Sequence, residues 1–320
     1  ISIVGTIVYF ILITENDRRI AKKIISMQKT LIPFKQETNK HSKTLNNFLI
    51  ATSHNSYIGH FQNLDQSDPI YIKNAMLLGA RVIELDIFSK NNIHEDSEIR
   101  NTPIVAHGIE RCVDNNNDFD DSKPCQKKNI IVTFNNEKLT EYCKIIYETL
   151  PKINNDPLFI FIENNTNGFT KINDTMADIF MNTFGDKLLT PEKLYKLVNA
   201  NNKNVLAKGK ITDLPNIPMK YFIDKIILIT GGGCRGKFCD ITFNYYEWLN
   251  NYTHRNTTIQ ENELKEPKKM IRIYPDMEHD FAQILISNFS INYDPTNFLN
   301  EGCNFVAVFG FNFEIFLIPA

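Results

Sequence analysis

Residues 81–88 read RVIELDIF, and this stretch decides how the chain folds. Apolar side chains occupy both faces of the extended segment, which is typical of a strand buried in a parallel sheet. Two carboxylates, Glu84 and Asp86, interrupt the run, and their spacing of two places them on the same side of the strand. Buried carboxylates are unfavourable unless a cation pairs with them. The stretch therefore predicts a core strand that also carries a functional site.

Short apolar runs continue on both sides of this strand and alternate with helical patterns. Further buried strands are predicted at residues 48–52, 103–106, 158–162, 225–230, 270–274 and 304–309. Amphipathic spacing predicts helices at residues 136–150 and 173–184, and Thr190 followed by Pro191 and Glu192 marks another helix start. Such alternation predicts an α/β fold. We expect a (β/α)8 TIM-like barrel, distorted or incomplete forms included, with its active site at the C-terminal ends of the strands.

The composition is that of a folded protein with little net charge. The 320 residues include 35 Lys and Arg against 37 Asp and Glu, which gives a net charge of −2, and 42% of them are hydrophobic. This balance argues against a nucleic-acid partner bound through bulk positive charge. Two polar stretches, residues 110–128 and 248–269, are predicted to be loops.

The N-terminal residues differ from the rest of the chain. Residues 1–13 (ISIVGTIVYFILI) are uncharged, and basic residues follow them, among them Arg18 and Arg19. We expect residues 1–14 to be a truncated transmembrane or signal-anchor segment and residues 15–44 to be a helix or linker. A buried strand and a cut signal peptide are the alternatives. The basic residues would place the remainder of a membrane-associated protein in the cytoplasm.

The six cysteines leave the redox state open. They form no Cys-x-x-Cys pair, so a zinc ribbon is not predicted. Cys112 with Cys125, and Cys234 with Cys239, are near enough in sequence to form disulfides in an oxidising compartment. Free cytosolic thiols are the interpretation we favour.

Polar residues lie at or near the ends of several predicted strands, where a barrel brings side chains together. Oxygen ligands for a hard cation come from four of them: Asn55, Glu84, Asp86 and Glu163. Such a set suits Ca²⁺, whereas zinc sites more often recruit His or Cys. His54 and His107 then suit proton transfer. Taken singly, a strand-end His is more often structural, and an acidic pair can instead bind an Arg.

The same residues resemble a known family, the eukaryotic-type phosphoinositide-specific phospholipases C. Six blocks are similar in order: 45–57 (LNNFLIATSHNSY), 79–88 (GARVIELDIF), 105–108 (VAHG), 156–164 (DPLFIFIEN), 272–275 (RIYP) and 292–307 (NYDPTNFLNEGCNFVA). The resemblance covers residues 45–311, and six ordered blocks are far more specific than any single one. It implies a catalytic barrel over residues 45–320. Its parts are an X half at about 45–233, a short linker at 234–269 and a Y half at 270–312.

The resemblance implies a Ca²⁺-dependent phosphoric diester hydrolase that cleaves a phosphoinositide lipid in a membrane to diacylglycerol and an inositol phosphate. One Ca²⁺ would be held by Asn55, Glu84, Asp86 and Glu163. Glu84 is implied as the base for the inositol 2-hydroxyl, which attacks phosphorus to form a cyclic phosphate, and His107 as the acid for the departing oxygen. His54 would stabilise the charged phosphorane. Tyr274 would stack on the inositol ring, and Arg272 would contact a ring phosphate.

The chain also departs from the family. Two lysines of the family correspond to Thr230 and Gly232 here, so phosphatidylinositol itself or a monophosphate becomes an alternative to the 4,5-bisphosphate. Arg235 and Lys237 lie nearby in sequence and could substitute. The pleckstrin-homology, EF-hand and C2 modules of the family are not matched, so we expect the N-terminal segment to bring the protein to the membrane surface.

Three other functions stay open. A metal-independent, bacterial-type phospholipase C shares the barrel and the two histidines but places a basic residue where Ca²⁺ would lie. A relative of the glycerophosphodiesterases or sphingomyelinases D would leave the RIYP block unexplained. A catalytically silent lipid-binding or scaffold protein would keep the barrel without turnover.

Overall fold

The structure is a computed structural model. It describes residues 43–59, 66–89, 102–113, 126–154, 156–166, 170–199, 206–207, 210–211, 214–231, 233–253, 269–275 and 296–309. The predicted anchor at residues 1–14, and all but the last two residues of the predicted linker at 15–44, lie outside these ranges. Within them, no helix has both the length and the apolar character needed to cross a membrane.

The described elements alternate between strands and helices, as the sequence predicts. The strands are β1 (Ile50–His54), β2 (Val82–Ser89), β3 (Pro103–Val105), β4 (Gly108–Val113), β5 (Gln126–Ile131), β6 (Leu158–Asn165), β7 (Leu206–Ala207), β8 (Lys210–Ile211), β9 (Ile226–Thr230), β10 (Thr242–Asn244), β11 (Leu249–Thr253), β12 (Met270–Tyr274) and β13 (Phe305–Phe309). The α-helices are α1 (Pro69–Leu77), α2 (Leu139–Thr149), α3 (Thr170–Phe184), α4 (Pro191–Asn199), α5 (Lys237–Ile241) and α6 (Thr296–Asn300).

Eight strands form one parallel sheet in the order β10-β9-β6-β2-β1-β13-β12-β11. The sheet is strongly curled, because β6 and β13 are separated by two other strands and still pack ring against ring. The centroids of Phe161 and Phe305 are 6.0 Å apart. The two edge strands, β10 and β11, are consecutive in the chain and are joined by a 3-10 turn at Tyr245–Glu247. This open barrel confirms the prediction of a distorted or incomplete (β/α)8 fold.

Strand alternation divides the core into two layers. One face of β2 carries Ile83, Leu85 and Ile87, which pack against helices α1 to α3. The opposite face begins with the buried Val82, which packs against Phe159 and other rings inside the curl. Glu84 and Asp86 follow Val82 at intervals of two, so the same alternation places both carboxylates on the inner face. The curl therefore concentrates polar side chains at one end of an apolar interior.

Helix starts follow local chemistry. In α1, the Asp68 side chain accepts a hydrogen bond from the Ile70 N–H at 2.8 Å, and Pro69 occupies the first position. In α4, the Thr190 hydroxyl accepts from the Lys193 N–H at 3.2 Å, which confirms the start predicted there.

Three predictions of strands and loops were wrong in part. β3 pairs antiparallel with β2 and lies beside the barrel rather than in it, although it was predicted as a barrel strand. The ends of the predicted 110–128 loop belong to the antiparallel pair β4–β5. The predicted 248–269 loop begins with β11, an edge strand of the barrel. β10 and β11 read TFN and LNNYT, so their polar sequences lack the apolar run by which strands are recognised.

Candidate active site

The turn after β1 fixes the first part of the site. Asn55 has a positive φ of 45°, a conformation that Asn tolerates better than most residues. Its backbone N–H donates to Glu84 Oε2 at 3.2 Å. The Ser56 hydroxyl accepts from the Glu84 N–H at 3.0 Å. The Ser-His-Asn-Ser block thus holds β1 and the acidic strand β2 in fixed register at the site.

Three carboxylates meet at the C-terminal ends of β2 and β6. Asp86 lies directly opposite Glu163 in the parallel pairing of these strands. One oxygen from each of Glu84, Asp86 and Glu163 can be chosen so that all three lie within 4.8 Å of one another. Glu84 and Asp86 are buried, and Glu163 is exposed. The sequence prediction that these side chains converge is therefore realised in the geometry.

The crowding of negative charge alters the acidity of two members of this triad. Burial and the charge of Glu84 raise the pKa of Asp86 well above its usual value. The charge of Asp86, followed by desolvation and the charge of Glu84, raises the pKa of Glu163 to about 8. Both groups therefore hold protons more tightly than ordinary carboxyls, which is the signature of too little positive charge nearby.

Glu84 behaves differently because it has an arginine partner. Arg272 Nη2 donates to Glu84 Oε1 at 2.8 Å, and both side chains are almost completely buried. Burial by itself would raise the pKa of Glu84, but the charges of Arg272 and His54 outweigh it and the pKa is lowered. The guanidinium also lies over the Phe161 ring, with 4.7 Å from Cζ to the centroid. Arg272 was predicted to contact a substrate phosphate, and here its charge is engaged by a carboxylate.

The donor set suits a hard divalent cation. Arg272 offsets one of the three carboxylate charges, and Asp86 Oδ1 is buried without a hydrogen-bond partner among the described residues. Oxygen ligands and uncompensated charge are what Ca²⁺ requires. Asn55, the fourth predicted ligand, is buried and tied to Glu84 through its backbone.

The two histidines flank the triad. His107 Nδ1 lies 3.4 Å from Asp86 Oδ2, and His54 Nε2 lies 3.6 Å from Glu84 Oε2. Burial lowers the pKa of His107 and lowers that of His54 to about 4, with neighbouring carboxylates opposing the shift in each case. Both rings are therefore neutral at pH 7. His107 reaches the site from the end of antiparallel β3, whereas the sequence argument placed it at the end of a parallel barrel strand.

Two aromatic residues complete this side of the site. Tyr274 stacks on His54 with 6.1 Å between ring centroids and 11° between planes. Tyr57, to which the sequence analysis gave no role, is fully buried. Its hydroxyl lies 3.4 Å from His107 Nδ1 and 3.5 Å from Asn55 Oδ1. Its position two residues after Asn55, in the same sequence block, was the signal that could have identified it.

A cavity of about 200 Å³ opens beside the carboxylates. It is lined by Glu84, Phe161, Ile162, Glu163, Asn164, Gly231, Tyr245, Asn251 and Arg272. This volume is below the roughly 300–1,000 Å³ of pockets that enclose drug-sized ligands, so it suits a small head group. Three of its lining residues, Gly231, Tyr245 and Asn251, were not predicted as site residues. Gly231 directly follows β9, whereas Tyr245 and Asn251 belong to the β10–β11 connection and to β11, which the sequence did not indicate as strands.

Several residues near the site differ from expectation. Cys234 and Cys239 form a disulfide, whereas free thiols were the favoured interpretation. Cys143 and Cys303 are buried free thiols. The Cys125 half of the other suggested pair lies outside the described residues, as does Gly232. The Lys237 ammonium binds Asp178 Oδ1 at 2.9 Å and is not among the residues that line the cavity.

Comparisons with known proteins identify the family of the chain and proteins of similar fold. The family model of phosphatidylinositol-specific phospholipase C, X domain, matches residues 41–211, more than half of the 320-residue chain. No curated protein matches.

Solved structures are similar in fold. L. pealei PLC21 and S. officinalis PLC21 give TM-scores of 0.54 and 0.53 at 18% identity, over 84% of this chain and 34% of each of those chains. The chain thus spans about a third of the length of these two proteins. A calcium-dependent phosphoinositol-specific phospholipase C from Pseudomonas sp gives a TM-score of 0.49 at 12% identity, covering 85% of this chain and 92% of that one.

Proposed function

The chain belongs to the phosphatidylinositol-specific phospholipase C family, whose X domain matches more than half of it, and we propose that it is a Ca²⁺-dependent phosphoinositide phospholipase C. It hydrolyses phosphatidylinositol or its phosphates at a membrane surface to diacylglycerol and an inositol phosphate. The observation that carries this proposal is the meeting of two neutral histidines and three carboxylates beside a cavity of head-group size.

The ligand set has one task. Asn55, Glu84, Asp86 and Glu163 would hold one Ca²⁺, and the bound ion would supply positive charge that lowers the pKa of the inositol 2-hydroxyl and offsets charge on phosphorus. The raised pKa values of Asp86 and Glu163 support this assignment, because a cation would relieve the repulsion that causes them.

Proton transfer is assigned to Glu84 and His107. Glu84 is ionised at neutral pH, as an acceptor must be, and it takes the proton of the 2-hydroxyl. His107 Nε2 is buried without a hydrogen-bond partner among the described residues; the ring takes up a proton as the anionic phosphate binds, donates it from Nε2 to the departing diacylglycerol oxygen and returns to the neutral imidazole. The protonated ring also donates from Nδ1, which lies 3.4 Å from Asp86 Oδ2 and 3.4 Å from the Tyr57 hydroxyl, so both groups position it. Water then opens the cyclic phosphate as His107 and the base exchange roles.

Three other residues position the substrate. His54, beside Glu84, stabilises charge on the pentacoordinate phosphorus. Tyr274 stacks on the inositol ring next to His54. Arg272, which lines the cavity, holds Glu84 in place, and its Nε, buried without a hydrogen-bond partner among the described residues, donates to the head group.

The Arg272–Glu84 pair favours a second candidate, a metal-independent phospholipase C. In that mechanism the guanidinium takes the place of the cation, and 2.8 Å to Glu84 is close enough for it to do so. The charge count favours the Ca²⁺ mechanism, because one arginine leaves Asp86 and Glu163 uncompensated. The two candidates differ in their response to a chelator.

The reaction class is tested by incubating the protein with phosphatidylinositol vesicles and identifying both products. Wild type should release diacylglycerol together with cyclic or linear inositol phosphate. His107→Ala should lose activity by a factor of about 100 or more, with an unchanged circular dichroism spectrum and melting temperature as the control for folding. Absence of release by folded wild type would support the silent-scaffold alternative.

A further inference from the structure

One side of the cavity is formed by residues at the gap between the edge strands β10 and β11, where the barrel does not close. Tyr245 begins the 3-10 turn that joins the edge strands β10 and β11. Its ring packs on Phe161, with 6.3 Å between centroids, and it lines the cavity together with Gly231 and Asn251. We call these three residues, Gly231, Tyr245 and Asn251, the seam wall.

Tyr245 lies so close to β9 that a glycine is required opposite it. A Cβ at Gly231 would lie 2.3 Å from Tyr245 Cε1 and 2.6 Å from its Cζ and hydroxyl oxygen. These distances are far below van der Waals contact. The space between β9 and the seam is therefore filled by the phenol, and not even a methyl group fits between them.

The seam wall is also connected to the acidic strand. The Tyr245 hydroxyl hydrogen-bonds both Asn251 and the adjacent Tyr246, whose ring centroid lies 4.5 Å from that of Tyr245. Asn251 Oδ1 accepts from Arg272 Nη1 at 3.4 Å. Arg272 in turn binds Glu84 at 2.8 Å. Hydrogen bonds thus hold the Tyr245 side chain in place. Its hydroxyl and the Asn251 amide present neutral donors and acceptors to the cavity.

The charges of the cavity disfavour a second anion. Among the described residues that line it, Arg272 is the one cation, and it is paired with Glu84; Glu163 adds a further acidic group. A phosphate monoester carries about −1.5 to −2 charges at pH 7 and is normally bound by Arg or Lys. A ring phosphate at the seam wall would meet a phenol, an amide and, next to Asn251, a guanidinium whose charge Glu84 already engages.

We propose that the seam wall selects an inositol head group without ring phosphates, and that Tyr245 is the residue that excludes them. The wall binds ring hydroxyls through the Tyr245 hydroxyl and the Asn251 amide, and the phenol occupies the volume that a ring phosphate would need. This inference rests on the proposed function and names the substrate class within it.

The test compares three substrates with wild type and two variants. Phosphatidylinositol, its 4-phosphate and its 4,5-bisphosphate are presented separately in otherwise identical vesicles, and kcat/KM is measured for each. Wild type should prefer phosphatidylinositol to the bisphosphate by at least about tenfold. Tyr245→Lys should shift that ratio toward the bisphosphate by at least about tenfold. Tyr147→Lys is the matched control, because Tyr147 is 45% exposed on α2 and does not line the cavity, so the same charge there reports only attraction of the anionic vesicle.

Each outcome decides the matter. A wild-type preference for the bisphosphate, or equal shifts in the two lysine variants, would overturn the inference while leaving the phospholipase activity intact. If Tyr245→Lys does not fold, Tyr245→Ser opens the wall without adding charge and should still narrow the preference. If no lipid is cleaved, the proposed function fails. Calorimetric binding of inositol 1-phosphate against inositol 1,4,5-trisphosphate then decides the inference, and tighter trisphosphate binding contradicts it.

Discussion

Arg272 Nη2 lies 2.8 Å from Glu84 Oε1 although 188 positions separate the two residues in the sequence. They come from β12 and β2, which are separated by two other strands in the sheet, so the contact exists only because the sheet curls. In this pair, the protein's own arginine supplies the positive charge next to Glu84. It leaves Asp86 and Glu163 as the groups whose charge a metal would have to balance.

Replacing Arg272 should show how far its charge compensates the carboxylates of the site. Arg272→Gln leaves Glu84 buried without its cation, so we expect the free energy of unfolding to fall by about 3 kcal/mol in the absence of metal. Ca²⁺ should stabilise this variant more than wild type, because a competing positive charge is gone. Urea unfolding with and without Ca²⁺ measures both effects.

The matched control for that experiment is Arg81→Gln. Arg81 donates to Asp156 at 2.8 Å in another largely buried ion pair, and neither residue lines the cavity. It should lose stability without any gain in the response to Ca²⁺. Equal Ca²⁺ responses in the two variants would mean that Arg272 does not compete with a cation.

Glu163→Gln removes one carboxylate from the triad without changing its size. The Ca²⁺ concentration for half-maximal hydrolysis should rise about tenfold or more, because ligand charge sets affinity at such sites. Glu192→Gln makes the same chemical change at an exposed helix position and should have no effect. A Ca²⁺ titration that Glu163→Gln leaves unaltered would remove Glu163 from the metal site.

The stability of the metal-free protein should fall as the pH rises from 6.5 to 8. The folded-state pKa of Glu163 is raised to about 8 from an ordinary 4.5. Its contribution to the free energy of unfolding is therefore fully present below pH 4.5 and is lost progressively as the pH rises to about 8. His54, with its pKa lowered from 6.5 to about 4, acts in the opposite direction but only below 6.5. Melting temperatures across this range should decline for wild type and stay flatter for Glu163→Gln. A rising wild-type curve would show that Glu163 is not protonated as described.

Tyr57→Phe removes a hydroxyl that lies 3.4 Å from His107 Nδ1. The ring then loses one of the two groups that position its Nδ1, so kcat should fall by about tenfold with less change in KM, and the pH dependence of kcat should change. Tyr142→Phe is the control, since its buried hydroxyl contacts Ser67 and no residue of the site. If both variants give the same pH profile as wild type, Tyr57 acts in folding alone.

The sequence predicted the parts of the site that depend on local pattern. Glu84 and Asp86 share a face because strand geometry has a period of two. The six sequence blocks, in their order along the chain, predicted that His54, His107 and Glu163 would lie beside them. Apolar runs also predicted six of the eight barrel strands. These features follow from alternation and burial along one segment at a time.

The remainder depends on tertiary structure. β10 and β11 are short and polar, so their pairing with β9 and β12 defines them rather than their own sequence. The engagement of Arg272 by Glu84, and the wall formed by Tyr245, arise from how far the sheet curls. No local pattern reports that distance, which explains why Arg272 was assigned to substrate and Tyr245 was not assigned at all.

The most direct test of the account is the rate of phosphatidylinositol hydrolysis at defined free Ca²⁺ and in excess chelator. We predict that release of inositol phosphate rises with Ca²⁺, falls to background in chelator and returns when Ca²⁺ is restored. The same rate in chelator as in Ca²⁺ would contradict the account. It would show that the Arg272–Glu84 pair supplies the positive charge without a metal.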